Sequence, residues 1–163
     1  MVAASATFSP GRSRALRAIL WGGLIAGTLD ITYAIVFSLL RSGTSPVRVL
    51  QSVASGLLGA DSFNRGSASA ALGLFLHFLI AFTAAAVYYA ASREFDVLVR
   101  AAVVCGVTYG VMIYAVMNYV VIPLSAVPPR AGPRPLLVLF TGLLVHMFLI
   151  GLPIALAARR YSR

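Results

Sequence analysis

The sequence contains no lysine. Its thirteen basic residues are all arginine, and only four acids, Asp30, Asp61, Glu94 and Asp96, stand against them. Charge of either sign is scarce: 10% of the 163 residues are charged, where a soluble domain carries about 25%. There is one cysteine, Cys105, so an internal disulfide and a cysteine-based metal cluster are excluded. It reads as a small buried apolar residue. No His-Glu-x-x-His, P-loop, nucleophile elbow or dinucleotide fingerprint is present. The glycines of "GGLIAG" (22–27) lie within an apolar run, not after a strand. The sequence pI of about 10.9 raises nucleic acid as a partner, but no basic face or base-stacking module is found, so none is expected. The arginines flank the apolar runs instead, where they act as topology signals and headgroup contacts.

Apolar residues are in excess. They make up 60% of the chain, with a mean hydropathy of +0.93. A core of this size could not hide them. A bilayer-spanning helix needs about 20 mostly apolar residues, and four segments qualify: about 18–40, 70–92, 101–123 and 135–158. Only the first carries a charge, Asp30. The expected fold is an all-α membrane protein, a single four-transmembrane-helix bundle over 18–158. A flexible basic tail (1–17, with 1–11 disordered) and a short basic tail (159–163) flank it. Arg12, Arg14 and Arg17 before an apolar run resemble a signal peptide, but the run exceeds about 7–15 residues and no A-x-A site follows. A retained first span is expected.

Eight arginines fall on the side of the termini and the 93–100 loop: Arg12, Arg14, Arg17, Arg93, Arg100, Arg159, Arg160 and Arg163. Five fall on the other: Arg41, Arg48, Arg65, Arg130 and Arg134. The positive-inside bias puts both termini in the cytoplasm. The all-arginine usage points to a GC-rich bacterial genome, hence a bacterial cytoplasmic membrane. The first outer loop, "TSPVRVLQSVASGLLG" (44–59), predicts a short amphipathic helix over about 46–58. Ser45 is its N-cap, Pro46 its first residue and Gly59 its stop. Val47, Leu50, Val53, Ala54, Leu57 and Leu58 form the apolar face; Arg48, Gln51, Ser52 and Ser55 form the polar one. Such a helix lies in the interface plane, or caps the bundle mouth. The proline-rich second outer loop (123–135) reads as a rigid hairpin, and "SREFDVLVR" (92–100) as a solvated turn.

Spans two and four share Gly-Leu-x-x-His, as Gly73/His77 and Gly142/His146, and both end in small residues followed by arginine. Spans one and three share Gly-x-x-x-Gly, as Gly23/Gly27 and Gly106/Gly110, followed by Asp30 or Asn118. A duplicated two-helix hairpin would be related about an axis along the membrane normal. The small residues let helices approach closely in lipid, within the bundle or in a homodimer. Gly23, Gly27 and Asp30 share one face, since seven residues is close to two turns. The same holds for each Gly/His pair. Every one of these polar residues is therefore predicted to point into the bundle.

Asp30 is the strongest signal, because a carboxylate at midspan costs about 2.5–3.5 kcal/mol on insertion scales. Depths counted at 1.5 Å per residue put Asp30 and His146 about 15 Å from the outer surface, His77 about 10 Å and Asn118 about 6 Å. An Asp30–His146 pair is expected, with His77 and Asn118 nearer the mouth. Tyr114 lies on the row of Gly110 and Asn118 and is a candidate member; Tyr33, Tyr109 and Tyr119 read as packing or interfacial aromatics.

Three readings are open for this cluster of Asp30, His77, Asn118, His146 and Tyr114. It fixes helix packing; it forms a path or site for a small molecule, ion or proton; or His77 and His146 hold one haem b. No other cofactor is expected. Two histidines and an aspartate could also hold zinc, though without the usual motif. At "SPVRVLQSVASGLLG", "GLFLHFLIA" and "MNYVVIPLS" the chain resembles a group of small bacterial four-span membrane proteins. The resemblance implies an inner-membrane location and carries no activity.

Overall fold

The computed structural model describes residues 10–129 and 132–162. The tail at 1–9, Arg130 and Arg163 lie outside the described residues, as does the Arg12 side chain. Every regular element among the described residues is helical. The helices are α1 (Pro10–Ser42), α2 (Pro46–Leu58), α3 (Gly66–Glu94), α4 (Val97–Arg100), α5 (Ala102–Leu124) and α6 (Leu136–Tyr161). Four of them, α1, α3, α5 and α6, are long and apolar enough to cross a membrane. They turn Leu20, Trp21, Leu40, Phe75, Val104 and Phe140 outward. Such surfaces fit a multi-pass protein in contact with lipid.

α1 begins at Pro10, eight residues before the expected start at 18. Arg14 and Arg17 thus sit on a helix rather than a flexible tail. Proline suits the first helical turn, and nothing between Pro10 and Leu16 breaks the helix. The 92–100 segment is more ordered than a turn: α3 continues to Glu94, and α4 follows with an exposed Arg100–Asp96 ion pair at 3.2 Å.

α1 packs along α3 and the second half of α6, and α5 packs on α6, while the backbones of α3 and α5 meet at few points. At the end holding the termini the bundle is tight. Ala18, Ala26, Ala85, Tyr88, Ala102, Ile154, Ala155 and Ala158 are buried together there. Toward the α2 end the helices diverge.

Both α5 and α6 carry a widened π turn, at Met117–Val121 and His146–Gly151. Each stands just before a proline within a long apolar helix, Pro123 or Pro153. Proline lacks the N–H for its i−4 carbonyl and clashes with that carbonyl. A turn with i→i−5 bonds, such as Leu152 N–H to the Met147 carbonyl, absorbs the mismatch without breaking the helix.

The glycine contacts hold the bundle. Gly23 and Gly27 receive the rings of Phe82 and Phe78 from α3. Gly106 and Gly110 lie against the α6 backbone at Gly151 and His146. These glycine faces are filled by contacts within the bundle.

α2 has the expected termini. The Ser45 side chain accepts from Arg48 N–H at 3.3 Å, Pro46 opens the helix, and Gly59 closes it at φ 62°. Its faces differ from expectation. Gln51 and Ser55, assigned to the polar face, are buried, whereas Val47 and Leu57 are exposed. A polar network causes the rotation. Gln51 donates to the Gly66 carbonyl at 2.9 Å, Ser62 donates to the Gln51 carbonyl at 2.9 Å, and Ser69 donates to the Ser62 carbonyl at 2.6 Å. Gly73, lacking a Cβ, lets the Leu50 carbonyl and Ala54 reach α3. Ala126 N–H of the second loop donates to the Gly56 carbonyl at 2.9 Å. α2 is thus tied to both α3 and that loop and caps one end of the bundle.

Gly110→Ala and Gly151→Ala would drive a methyl group into backbone of the facing helix. Each is expected to destabilise by about 1–3 kcal/mol. Gly142→Ala, whose Cβ would meet only the Tyr114 ring at 3.4 Å, should cost well under half of that. Unfolding in mixed micelles followed by circular dichroism compares the three.

Candidate functional site in the membrane

Where the helices diverge they enclose a cavity of ≈ 320 Å³. Asp30, His77, Tyr114, Asn118 and His146 all line it. Residues placed on inward faces by their spacing to glycines thus come together from four helices. Val53 of α2 closes part of the cavity.

Beside the expected Asp30–His146 pairing stands the second histidine: Asp30 Oδ2 lies 3.9 Å from His77 Nδ1, and His146 acts on it electrostatically as well. Depth counting treats helices as parallel rods. It misses the direct α1–α3 contact at Gly23 and Gly27, which brings His77 alongside α1. His77 Nε2–H donates to the Gly27 carbonyl at 2.8 Å. That bond assigns the tautomer, because a carbonyl can only accept. The neutral ring therefore turns the lone pair of Nδ1 toward Asp30. A separation of 3.9 Å is too long for a hydrogen bond. It is also unfavourable between a lone pair and an ionised carboxylate. A proton on one of the two groups, or a donor placed between them, relieves that contact.

His146 is fixed differently. Its Nδ1–H donates to the Gly142 carbonyl one turn earlier at 2.8 Å, which leaves Nε2 as the free nitrogen. Its ring meets Tyr114 edge-on, with centroids 5.3 Å apart, and it lies within electrostatic reach of Asp30. The two Gly-Leu-x-x-His stretches thus do unlike work. Gly73 receives α2 while His77 reaches across to α1; Gly142 holds its own helix's His146. Among the described residues no group of three His, Cys, Asp or Glu side chains is placed to hold a metal ion, so the zinc arrangement is not formed.

Toward the α2 end the wall is different in kind. Tyr114 Oη donates to the Leu139 carbonyl at 3.2 Å, and Asn118 Nδ2 to the Tyr114 carbonyl at 2.8 Å. Arg134 reaches in from the second loop and donates to Asn118 Oδ1. Sequence reasoning assigned Arg134 to topology alone. Its position directly before Pro135 and an apolar span was the available hint that its side chain folds back over the mouth. Between the polar ends the walls are apolar, with Ile80, Ile113, Val138 and Ile150.

Tyr109 was read as packing and has a special place. Its hydroxyl donates to the Ala84 carbonyl across the α3–α5 seam at 2.7 Å, and its ring packs edge-on with Tyr88 at 4.9 Å. Ala84 lines the cavity above; Tyr88 and Tyr109 line a second, almost wholly apolar cleft of ≈ 370 Å³ toward the termini. The Tyr109–Ala84 bond stands between the two. Tyr33 does not line the cavity. Its ring stacks on Phe37, and its hydroxyl is buried without a protein partner. Tyr119 is exposed.

No protein-family model, curated protein or solved structure matches the chain.

Asp30→Asn and His77→Gln are each expected to change stability, and their double mutant to show a coupling energy of about 0.5–3 kcal/mol. The same cycle between Asp30 and Tyr109 should show none. Equilibrium unfolding in detergent measures both cycles.

Proposed function

We propose that this protein binds a small molecule in the intramembrane cavity in exchange for a proton, and passes it across a bacterial cytoplasmic membrane. The observation that carries this reading is the state of Asp30. A purely structural buried acid is hydrogen-bonded. Asp30 instead accepts no protein hydrogen bond among the described residues, and its side chain is 23% exposed, onto the cavity. A group kept in the membrane at such cost and left unsatisfied is available to a ligand.

The titratable groups that face it are His77 from α3 and His146 from α6, with Arg134 and Tyr114 further along the same walls. The empty cavity holds one proton on the Asp30–His77 pair. A ligand that supplies its own donors to Asp30 displaces that proton to water at the mouth. With both termini cytoplasmic, as the arginine bias favours, α2 and the second loop frame the outer side. The Tyr109–Ala84 bond is then the barrier toward the inner cleft, and its opening completes the route.

The bonds of Tyr114 and Asn118 to backbone carbonyls favour a packing role for that part of the cluster. A haem between the two histidines is set aside. His77 Nε2–H is committed to the Gly27 carbonyl, and its other nitrogen faces Asp30. The protein purified from haem-supplied cells is expected to lack a Soret band that shifts on reduction.

Proteoliposomes loaded with a pH-sensitive dye and challenged with a panel of small amines and acids test the proposal. At least one solute should produce a pH change with the wild-type chain, lost in an Asp30→Asn variant that still folds and inserts into the liposomes. A wild-type chain inert to every solute, with Asp30→Asn altering stability alone, would leave the cluster a packing device.

A further inference from the structure

The two ends of the cavity are chemically opposite. At the inner end both histidine N–H groups are consumed by backbone carbonyls, His77 by Gly27 and His146 by Gly142. What remains there is His77 Nδ1, His146 Nε2 and the Asp30 carboxylate. Once the proton shared by Asp30 and His77 has left, all three accept and none donates. The complement of three acceptors is a group with three donors and a positive charge, which describes a primary ammonium. The 3.9 Å gap between His77 Nδ1 and Asp30 Oδ2 suits it. One donor atom about 2.9 Å from each would bridge them.

At the outer end stands a cation. Among the described residues Arg134 bonds Asn118, and a guanidinium carries five N–H donors suited to a planar acid. Tyr114 packs on His146, and Asn118 follows Tyr114 by one turn of about 5.4 Å. Apolar wall lies between the two polar ends. The cavity of ≈ 320 Å³ has room for a short chain.

We infer that the ligand is a primary amine with an acidic group at the far end of a short apolar chain: its ammonium sits between Asp30 and His77, with His146 on the same cavity wall, and its acid meets Arg134. The inference rests on the proton-linked binding proposed above and names its ligand class. It also accounts for the exchange. The incoming ammonium brings the positive charge that the shared proton of Asp30 and His77 otherwise provides, so the proton leaves as the amine enters.

The test is binding to the detergent-purified full chain, by calorimetry, of the straight-chain ω-amino acids from 4-aminobutanoate to 7-aminoheptanoate. Hexylamine and hexanoate serve as single-ended controls. At least one ω-amino acid is expected to bind ten-fold or more tighter than either control. Arg134→Gln should bring it level with hexylamine, Arg134→Lys should restore part of the advantage, and Asp30→Asn should weaken every amine ten-fold or more. Equal affinity for hexylamine and the ω-amino acids in the wild type would overturn the acid-recognising end and leave proton-linked amine binding intact. Tightest binding of hexanoate, indifferent to Asp30→Asn, would overturn the ammonium cradle. If none of these compounds binds while another solute drives a pH change lost in Asp30→Asn, the ligand class is wrong and the proposed function stands. If no solute does so, both fall.

Discussion

The hydrogen bond from His77 Nε2–H to the Gly27 carbonyl is the contact on which the rest of the site depends. It needs a residue without a side chain on α1, because a Cβ at Gly27 would lie 2.8 Å from the Phe78 ring. It needs α3 close enough for an imidazole to reach a helix backbone, which the Phe78 and Phe82 contacts on Gly27 and Gly23 provide. Once made, it decides which ring nitrogen carries hydrogen, and so which face of the ring Asp30 meets. A buried acid becomes a group that must share a proton or find a donor, and that follows from one carbonyl one turn away along its own helix.

A second constraint comes from two prolines. Pro123 and Pro153 stand inside long apolar helices, and each is preceded by a widened turn. The turns carry Asn118 and His146 themselves, so the residues that line the cavity sit where the backbone already departs from regular helix. At the other end of the bundle the small residues close the core around Ile154 and Ala155, each almost fully buried. Rigid packing at one end and a splayed, proline-widened arrangement at the other produce a cavity in a chain of only four long apolar helices. α2 then closes the open end with Val53, held by its buried Gln51 network.

The four long apolar helices were legible because a charge-free apolar run has few alternatives. The inward direction of Asp30, His77, Asn118 and His146 was legible too, since each shares a face with a small residue one or two turns away. α2 showed its start and stop through Ser45, Pro46 and Gly59. Other features were not legible, for physical reasons. The rotation of α2 depends on hydrogen bonds from Gln51 and Ser69 to backbone groups, which a pattern of apolar spacing does not weigh. The approach of His77 to Asp30 depends on how helices cross, and depth counting is blind to that. Gly151, which receives Gly106 and Gly110, belongs to no Gly-x-x-x-Gly pair. The effect of Pro153 was open to reading, because a proline within an apolar run calls for a local change in the helix. Arg134 looked like any other flanking arginine; only the fold of the second loop sets it on Asn118.

The account rests on the tautomers of two histidines, and nitrogen-15 NMR of the histidine-labelled protein in micelles reads them directly, with His77→Gln and His146→Gln assigning the signals. In the neutral state His77 should be protonated at Nε2 and His146 at Nδ1, and Asp30→Asn should move the His77 Nδ1 resonance far more than any nitrogen of His146. A His77 protonated at Nδ1 alone would mean that the Gly27 carbonyl does not hold it, and the three-acceptor cradle and proton exchange built on that bond would be wrong.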